Sequence, residues 1–441
     1  MKPGHGTARA TLVEYAAPEP VLHHLATTLG TDRALVRDQI VGAGERVART
    51  LSLQSNPFSA SGSDVRVADV AGLLRIGPRL ELEIAPKFLG TEWASWREDF
   101  FFIAMLSRHG RLLANERLGS TVGAREDLAT LVARAMISMF WENHRRPLRT
   151  YRHAQVEDFV IDGDVDPESI VLPPVDGYTQ RLVTYDRRNI FNAAILAATQ
   201  ALLPEVRDPQ TRRQLVRVAE VLAPQAAMRR AQHRRVPSRA KRWQSLHDLA
   251  IDVLRGFGVA YDAASVKAPG FVLDTWRVWE DLLTVALRLS WGSSKVDAQR
   301  SVALGVRTSF DAGGKASSRT AWVTPDLAVD HGTGLIVDAK YKGRVGELKN
   351  RISEADLYEA LAFASATKVE QVVLLYPAVA RGAAPLPVGT TTTFERVAVG
   401  SVVVLGMEVE VRGISRVGAL RRFADGLVAA LKPLVAALAA A

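Results

Sequence analysis

Apolar residues recur at two periods along this chain, and the switches between them suggest its organisation. The stretch 20–51 is spaced like a helix, and short runs at 64–67, 73–76 and 80–84 follow with the two-residue alternation of strands. From Glu92 to about Gly256 a period near 3.6 dominates, over 128–141, 190–203, 211–222 and 246–254. Beyond it, helix, hairpin, helix and strand alternate; 369–376 reads as a buried strand and 391–411 as further β structure. The pattern predicts a mixed α/β chain in three regions, 1–100, 101–256 and 257–441, with no internal repeat and no long low-complexity linker.

The most informative pattern lies in the last region. Stretches 323–329 and 335–341 are apolar and β-branched and flank His331-Gly332-Thr333-Gly334, where glycine accepts positive φ, so a hairpin is predicted. Pairing Asp330 with Gly334 around a three-residue loop sets Val329 opposite Leu335, Ala328 opposite Ile336 and Asp326 opposite Asp338. Directly opposed Cβ atoms lie about 4.5–5.5 Å apart. Alternation puts Lys340 on the face of Asp338 and turns Val337, Ala339 and Tyr341 into the other layer.

Like charges opposed across a ladder repel, and a divalent cation would compensate. Mg²⁺ takes one or two carboxylates, several waters and substrate phosphate oxygens, which an Asp pair at a hairpin can provide. Lys340 could then orient or deprotonate the attacking water and offset phosphate charge. The plain alternative is a turn-proximal Asp326 with an edge-strand charge pair at Asp338 and Lys340. Glu347-Leu348-Lys349 repeats the triplet, but in a polar, loop-like context that lacks the apolar run Gly334-Leu335-Ile336-Val337.

Thr324-Pro325-Asp326-Leu327 followed by Leu335-Ile336-Val337-Asp338-Ala339-Lys340-Tyr341-Lys342 resembles the PD-(D/E)XK nuclease signature, and its Asp-Ala-Lys-Tyr-Lys form resembles the McrC family. That family comprises the nuclease subunits of modification-dependent restriction systems. Further segments resemble it too: Leu80-Glu81-Leu82-Glu83-Ile84-Ala85-Pro86-Lys87, Thr150-Tyr151, Ile161-Asp162-Gly163-Asp164-Val165, and the Asn-bearing run from Tyr185 to Asn192. Trp279-Glu280-Asp281-Leu282-Leu283 resembles the helix before the catalytic hairpin, which makes Glu280 a candidate third metal-side carboxylate or else a solvated helix charge. Ser353-Glu354-Ala355-Asp356 reads as an N-cap opening a helix through Tyr358, Glu359, Leu361 and Phe363. The family often has Gln where this chain has Glu359; a glutamate cannot donate to phosphate, so that position departs from the pattern.

The resemblance implies a multidomain α+β protein. Its C-terminal restriction-endonuclease-like core would be a mixed sheet flanked by helices, preceded by a helical region and an N-terminal β-containing domain. It implies Mg²⁺, with Mn²⁺ as a substitute, held by Asp326 and Asp338 with the Ala339 carbonyl, and Lys340 as the water-orienting group. It also implies DNA as substrate and a separate AAA+ GTPase ring as partner, engaged by the N-terminal region. Two other readings stay open: a non-cleaving, DNA-binding activator of that GTPase, and a stand-alone nuclease of repair or mobile-element type.

Composition fits a folded protein: 441 residues, 48% hydrophobic and 23% charged. With no cysteine there is no disulfide, thiolate metal site or cysteine nucleophile. The N-terminus lacks a signal-peptide core and no stretch is long and uncharged enough to span a bilayer, as expected of a cytoplasmic protein. No Gly-x-x-x-x-Gly-Lys-Ser/Thr loop occurs, so the chain is expected to bind no nucleotide itself. A net charge of +9 favours a polyanionic partner. Seven basic residues fall in 228–243 with no acid among them: Arg229, Arg230, Arg234, Arg235, Arg239, Lys241 and Arg242. A second group comprises Arg145, Arg146, Arg149 and Arg152, and Lys342 follows the catalytic triplet. Such groups suit phosphate contacts without reading sequence, or form a solvated surface.

Overall fold

A computed structural model describes residues 8–17, 19–76, 79–109, 128–172, 174–206, 208–222, 232, 234–254, 271–329, 334–341, 351–379 and 385–439. The chain forms two compact units, Met1–Arg125 together with Gly258–Ala441, and Glu126–Phe257. This division differs from the three successive regions that periodicity suggested. The N-terminal strands are completed by a C-terminal one: the first sheet runs Ala8–Val13, Leu80–Ala85, Val70–Ile76, Phe271–Asp274, and its last strand pairs antiparallel with Val70–Ile76. Pairing across such a sequence distance leaves no trace in a local pattern.

Stretch 20–51 is two helices, Val21–Leu29 and Arg33–Leu51. Gly30 closes the first in the left-handed region at φ 64°, a conformation glycine adopts without a Cβ clash, and the Asp32 carboxylate caps the second by accepting from Ala34 N–H.

The second sheet of this unit has six strands in the order Val296–Ala298, Leu327–Val329, Leu335–Ala339, Gln371–Pro377, Val402–Val409, Thr391–Val399. Leu335–Ala339, Gln371–Pro377 and Val402–Val409 run parallel, and the flanking strands are antiparallel. The parallel strands are continuous apolar runs because both faces are covered. On one face Ala328, Ile336, Val372, Leu374 and Val404 pack against Ala360, Phe363 and Ala364 of helix Glu354–Thr367. That helix begins at Ser353, whose hydroxyl accepts from Asp356 N–H at 3.2 Å, the predicted cap. Helix Thr275–Trp291 serves the sheet through its buried Trp279, whose indole N–H donates to the Leu375 carbonyl at 3.2 Å. Among the described residues no helix is long and apolar enough to cross a membrane.

The unit Glu126–Phe257 contains the predicted helices as Leu128–Asn143, Ile190–Leu202, Pro209–Leu222 and Gln244–Leu254. In the Asn-bearing run, Asn189 caps helix Ile190–Leu202, and the Asn192 amide donates to the Leu148 and Arg187 carbonyls at 2.9 and 2.8 Å. This unit is less purely helical than its periodicity suggested. It also holds a three-stranded antiparallel sheet of Thr150–Asp158, Tyr178–Asp186 and Asp164–Val165. Those strands are largely exposed, so no buried stripe imposes an alternating pattern on them. Near the end where Asp158 pairs with Tyr178, the exposed apolar residues Phe159, Val160, Ile161, Val171, Leu172 and Val175 gather in the connecting segments.

Candidate active site at the acidic hairpin

The hairpin adopts the predicted register, with Val329 opposite Leu335, Ala328 opposite Ile336 and Leu327 opposite Val337, which carries on to Asp326 opposite Asp338. Its first strand is shorter than expected. Only Leu327–Val329 pairs in the main sheet, while Val323 ends a separate strand, Ala316–Val323. Residues 330–333 of the turn lie outside the described residues.

Alternation along Leu335–Ala339 and beyond sorts the side chains as the sequence implied. Asp338 and Lys340 face helix Glu354–Thr367, where the Lys340 ammonium lies 2.5 Å from Asp338 Oδ2 and donates to Glu359 Oε2 at 2.6 Å, with Asp356 at 4.0 Å. Tyr341 goes to the opposite layer, its ring 6.0 Å from that of Phe88. Position 359, where this chain departs from the family's usual residue, is therefore the second anchor of the lysine. Asp326 is fixed by the Ala339 backbone N–H, which donates to its Oδ2 at 2.8 Å.

Burial then sets the electrostatics. Asp338 is only 3% exposed, and its carboxyl is pushed up to about 7, first by loss of water and then by Asp326, against the pull of Lys340. Asp326 is also raised, chiefly by burial and next by Glu280; hydrogen bonds from the Ala339 N–H and with Asp338 oppose the rise. Burial acts to lower the Lys340 ammonium, but Asp338 and Glu359 outweigh it and hold the group above its ordinary value. Lys340 is thus a fixed positive charge. The site holds a buried acid, Asp338, and a half-buried one, Asp326, close enough to share a hydrogen bond, beside one cation that is itself divided between two partners.

Glu280, from helix Thr275–Trp291, joins this group indirectly through Gln299, a residue the pattern analysis did not single out. The Gln299 amide donates to Glu280 Oε1 at 2.6 Å and to Asp326 Oδ1 at 2.9 Å, and its backbone N–H donates to the Asp326 carbonyl. Gln299 follows the three-residue edge strand Val296–Ala298 at φ 55°, a left-handed turn that no apolar periodicity announces. Glu280 is raised by burial, then by Asp281 and Asp338, while Gln299 opposes that rise. Among the described residues no three acidic, histidine or cysteine side chains close on one point, so the aspartate pair is the nucleus and Glu280 stands one bridge away. Gln299 and Glu359 are exposed while Asp338 and Lys340 are buried, so the group is wet on one side and anchored on the other.

The basic residues expected to meet phosphate belong to the other unit, apart from Lys342. Arg234, Arg235, Arg239, Lys241 and Arg242 are exposed, the last three in the short helix Ser238–Trp243. Arg239 lies over the rings of Tyr151 and Tyr185 at 4.8 and 4.6 Å. Arg229, Arg230 and Lys342, like Glu347-Leu348-Lys349, lie outside the described residues.

A mixed sheet whose hairpin presents two acids and a lysine, covered by helices and sharing its unit with an N-terminal sheet, defines a multidomain α+β protein with an acidic centre. Residues 65–377 match the family model described as McrBC 5-methylcytosine restriction system component, and the chain belongs to that family. Among solved structures it is similar to the refined half-complex from a tetradecameric assembly of Thermococcus gammatolerans McrB AAA+ hexamers with bound McrC, at 13% identity and TM-score 0.64 over 95% of this chain and 100% of that one. At that identity the likeness shows a shared fold. The cryo-EM structure of the Thermococcus gammatolerans McrBC complex is also similar, at 14% identity and TM-score 0.49, covering 63% of this chain and 87% of that one. No curated protein matches the sequence.

Proposed function

We propose that this chain is the DNA-cleaving subunit of a McrBC-type restriction system, a Mg²⁺-dependent endonuclease that works in the cytoplasm with an AAA+ GTPase ring. The observation that carries this reading is the close pair of the partly buried Asp326 and the buried Asp338 beside Lys340: both carboxyls are raised, Asp338 partly by the charge of Asp326 and Asp326 partly by that of Glu280. Two acids in that state suit a small hard cation in place of a shared proton, and two carboxylates are the number Mg²⁺ accepts alongside water and phosphate oxygens. Asp326, Asp338 and the Ala339 carbonyl would hold it. What Mg²⁺ supplies when bound is charge for the phosphate oxygens and a water of lowered pKa.

The chain's own groups do the rest. The Ala339 N–H fixes one carboxylate, and Gln299 ties it to Glu280. Lys340 acts as a donor that orients water and offsets negative charge; its raised pKa disfavours the alternative role of general base. Replacing Lys340 by Ala is expected to lower kcat about 10²–10³-fold while KM for DNA moves only a few-fold. Equal losses in binding and turnover would make Lys340 a phosphate anchor instead. Gln299→Leu, which removes the bridge but no carboxylate, is expected to cost about 10–100-fold in cleavage and to weaken Mg²⁺ dependence in the same assay. Unchanged cleavage would show that Glu280 and Asp326 need no link.

The partner reading rests on family membership and on the solved neighbour, whose assembly contains McrB AAA+ hexamers with bound McrC. The N-terminal strands are built into the unit that carries the acidic hairpin. We assign the exposed apolar side chains of Phe159, Val160, Ile161, Val171, Leu172 and Val175 to contact with the ring, since large apolar residues left in water along a short stretch suit a partner. A plasmid-cleavage assay with Mg²⁺, with and without the GTPase and GTP, tests the whole reading. Metal-dependent cuts that require or accelerate with the GTPase support it, and GTPase stimulation without cleavage would make the chain an activator only.

A further inference from the structure

Two strands rise directly out of the acidic site and pair only with each other. Val302–Phe310 and Ala316–Val323 form a two-stranded antiparallel ribbon outside both main sheets. Its roots are the immediate neighbours of the site: Gln299 leads into the first strand through Arg300 and Ser301, and the second returns through Thr324 and Pro325 to Asp326. Ser301 and Thr324 hydroxyls meet at 2.9 Å across the base. The ribbon's side chains are almost all exposed on both faces, so burial does not explain it.

Its chemistry is one-sided. Register pairs Arg307 directly with Arg319, and the same face carries Gly305, Ser309, Ser317 and Ala321, all small. Among the described residues neither arginine has a carboxylate partner. Like charges directly opposed across a ladder destabilise it, so this pair calls for an anion, as the aspartate pair calls for a cation. Lys315 adds a third positive charge at the tip. The one acid there, Asp311, is engaged by the turn, its Oδ1 accepting from Gly313 and Lys315 N–H at 2.9 Å each. At about 3.3 Å per residue the eight-residue strand spans roughly 26 Å, and two-stranded ribbons of this kind fit along a duplex groove.

We infer that the ribbon is a duplex-DNA clamp: Arg307, Arg319 and Lys315 grip backbone phosphates, and the small residues between them let the duplex approach, so that the scissile phosphate is delivered to Asp326 and Asp338. The inference rests on the nuclease reading for its substrate and names the element that holds it. The opposite face, with Val306, Phe310 and Trp322 exposed, would serve a protein partner if the arginines proved idle.

The test is fluorescence anisotropy of a duplex oligonucleotide with the full chain across a series of KCl concentrations. It is run without Mg²⁺ and in an Asp338→Ala background, so that it reads binding independently of cleavage. Arg307→Ala/Arg319→Ala is expected to flatten the slope of log Kobs against log salt by about 1.8, two phosphate contacts at roughly 0.9 each, whereas Arg307→Lys/Arg319→Lys keeps the slope. Both arginines are exposed, and an unchanged melting temperature confirms the fold. A double-alanine protein with the parent's affinity and slope overturns the clamp, even if Mg²⁺-dependent cleavage is found. A flattened slope in a chain whose parent cuts no DNA retains the clamp and removes the nuclease reading.

Discussion

Asp338→Ala is expected to lower Mg²⁺-dependent DNA cleavage by about 10³-fold or more while the protein stays folded. Asp338 is the residue on which the site's forces converge: it opposes Asp326, faces Lys340 at 2.5 Å and is almost fully buried. Its loss removes half of the proposed cation cradle and frees the lysine toward Glu359. The fold should tolerate the change, because removing a buried carboxyl already pushed up to about 7 also removes the cost of burying its charge. Single-turnover cleavage of a plasmid checks the rate, and thermal melting checks the fold. A variant that cuts at the parent rate would exclude the assignment.

The largest stability effect is expected behind the site. Glu14 is fully buried and accepts hydrogen bonds from the Thr275 hydroxyl and the Tyr341 hydroxyl, both at 2.6 Å. The Lys87 ammonium, equally enclosed, lies 4.1 Å from the centre of the Tyr341 ring and 4.8 Å from that of Tyr15. The four groups come from the ends of strands Ala8–Val13 and Leu80–Ala85, the start of helix Thr275–Trp291, and the residue after Lys340. They bolt the N-terminal sheet to the strand that carries Asp338. Glu14→Ala removes the stronger-acting of the two acids that bear on the Lys87 charge and leaves two hydroxyls without their acceptor, a loss of about 3–5 kcal/mol. Glu14→Gln keeps one acceptor oxygen and should cost about 1–3 kcal/mol.

The pH dependence follows from the same pair. Burial pushes Glu14 up to about 7 from 4.5, so its favourable contribution is complete below about 4.5 and fades as pH rises through 7. Burial pulls Lys87 down to about 8 from 10.5, so its contribution is complete above about 10.5 and fades as pH falls through 8. The two together should produce a shallow minimum in stability between about 7 and 8 that Glu14→Gln/Lys87→Met removes. Denaturant unfolding at several pH values reads this directly; an identical pH profile in the double variant would show that the pair is not what titrates.

How much of this is legible in the sequence depends on the range of the force involved. The register of the acidic hairpin follows from a period of two and a glycine-bearing turn, so local pattern alone brings Asp326, Asp338 and Lys340 together, and Ser353 declares its helix by local capping chemistry. Gln299 cannot be found this way. It lies after an edge strand of three residues, and its role comes from a positive φ and from partners nineteen and twenty-seven positions away. The partnerships of Phe271–Asp274 with Val70–Ile76 and of Glu14 with Tyr341 join residues about 200 and 327 positions apart, and only three-dimensional packing selects them. The sheet around Thr150–Asp158 escapes for the opposite reason: with most of its side chains in water, there is no buried stripe to detect.

Calorimetric titration of Mn²⁺ or Mg²⁺ into the full chain, alongside Asp326→Asn/Asp338→Asn, tests most directly the proposal that one ion binds between Asp326 and Asp338. The expected result is saturable binding to the parent protein that the double variant loses while keeping its melting temperature. Equal metal binding by both proteins, or none by the parent in the presence of duplex DNA, would contradict the assignment.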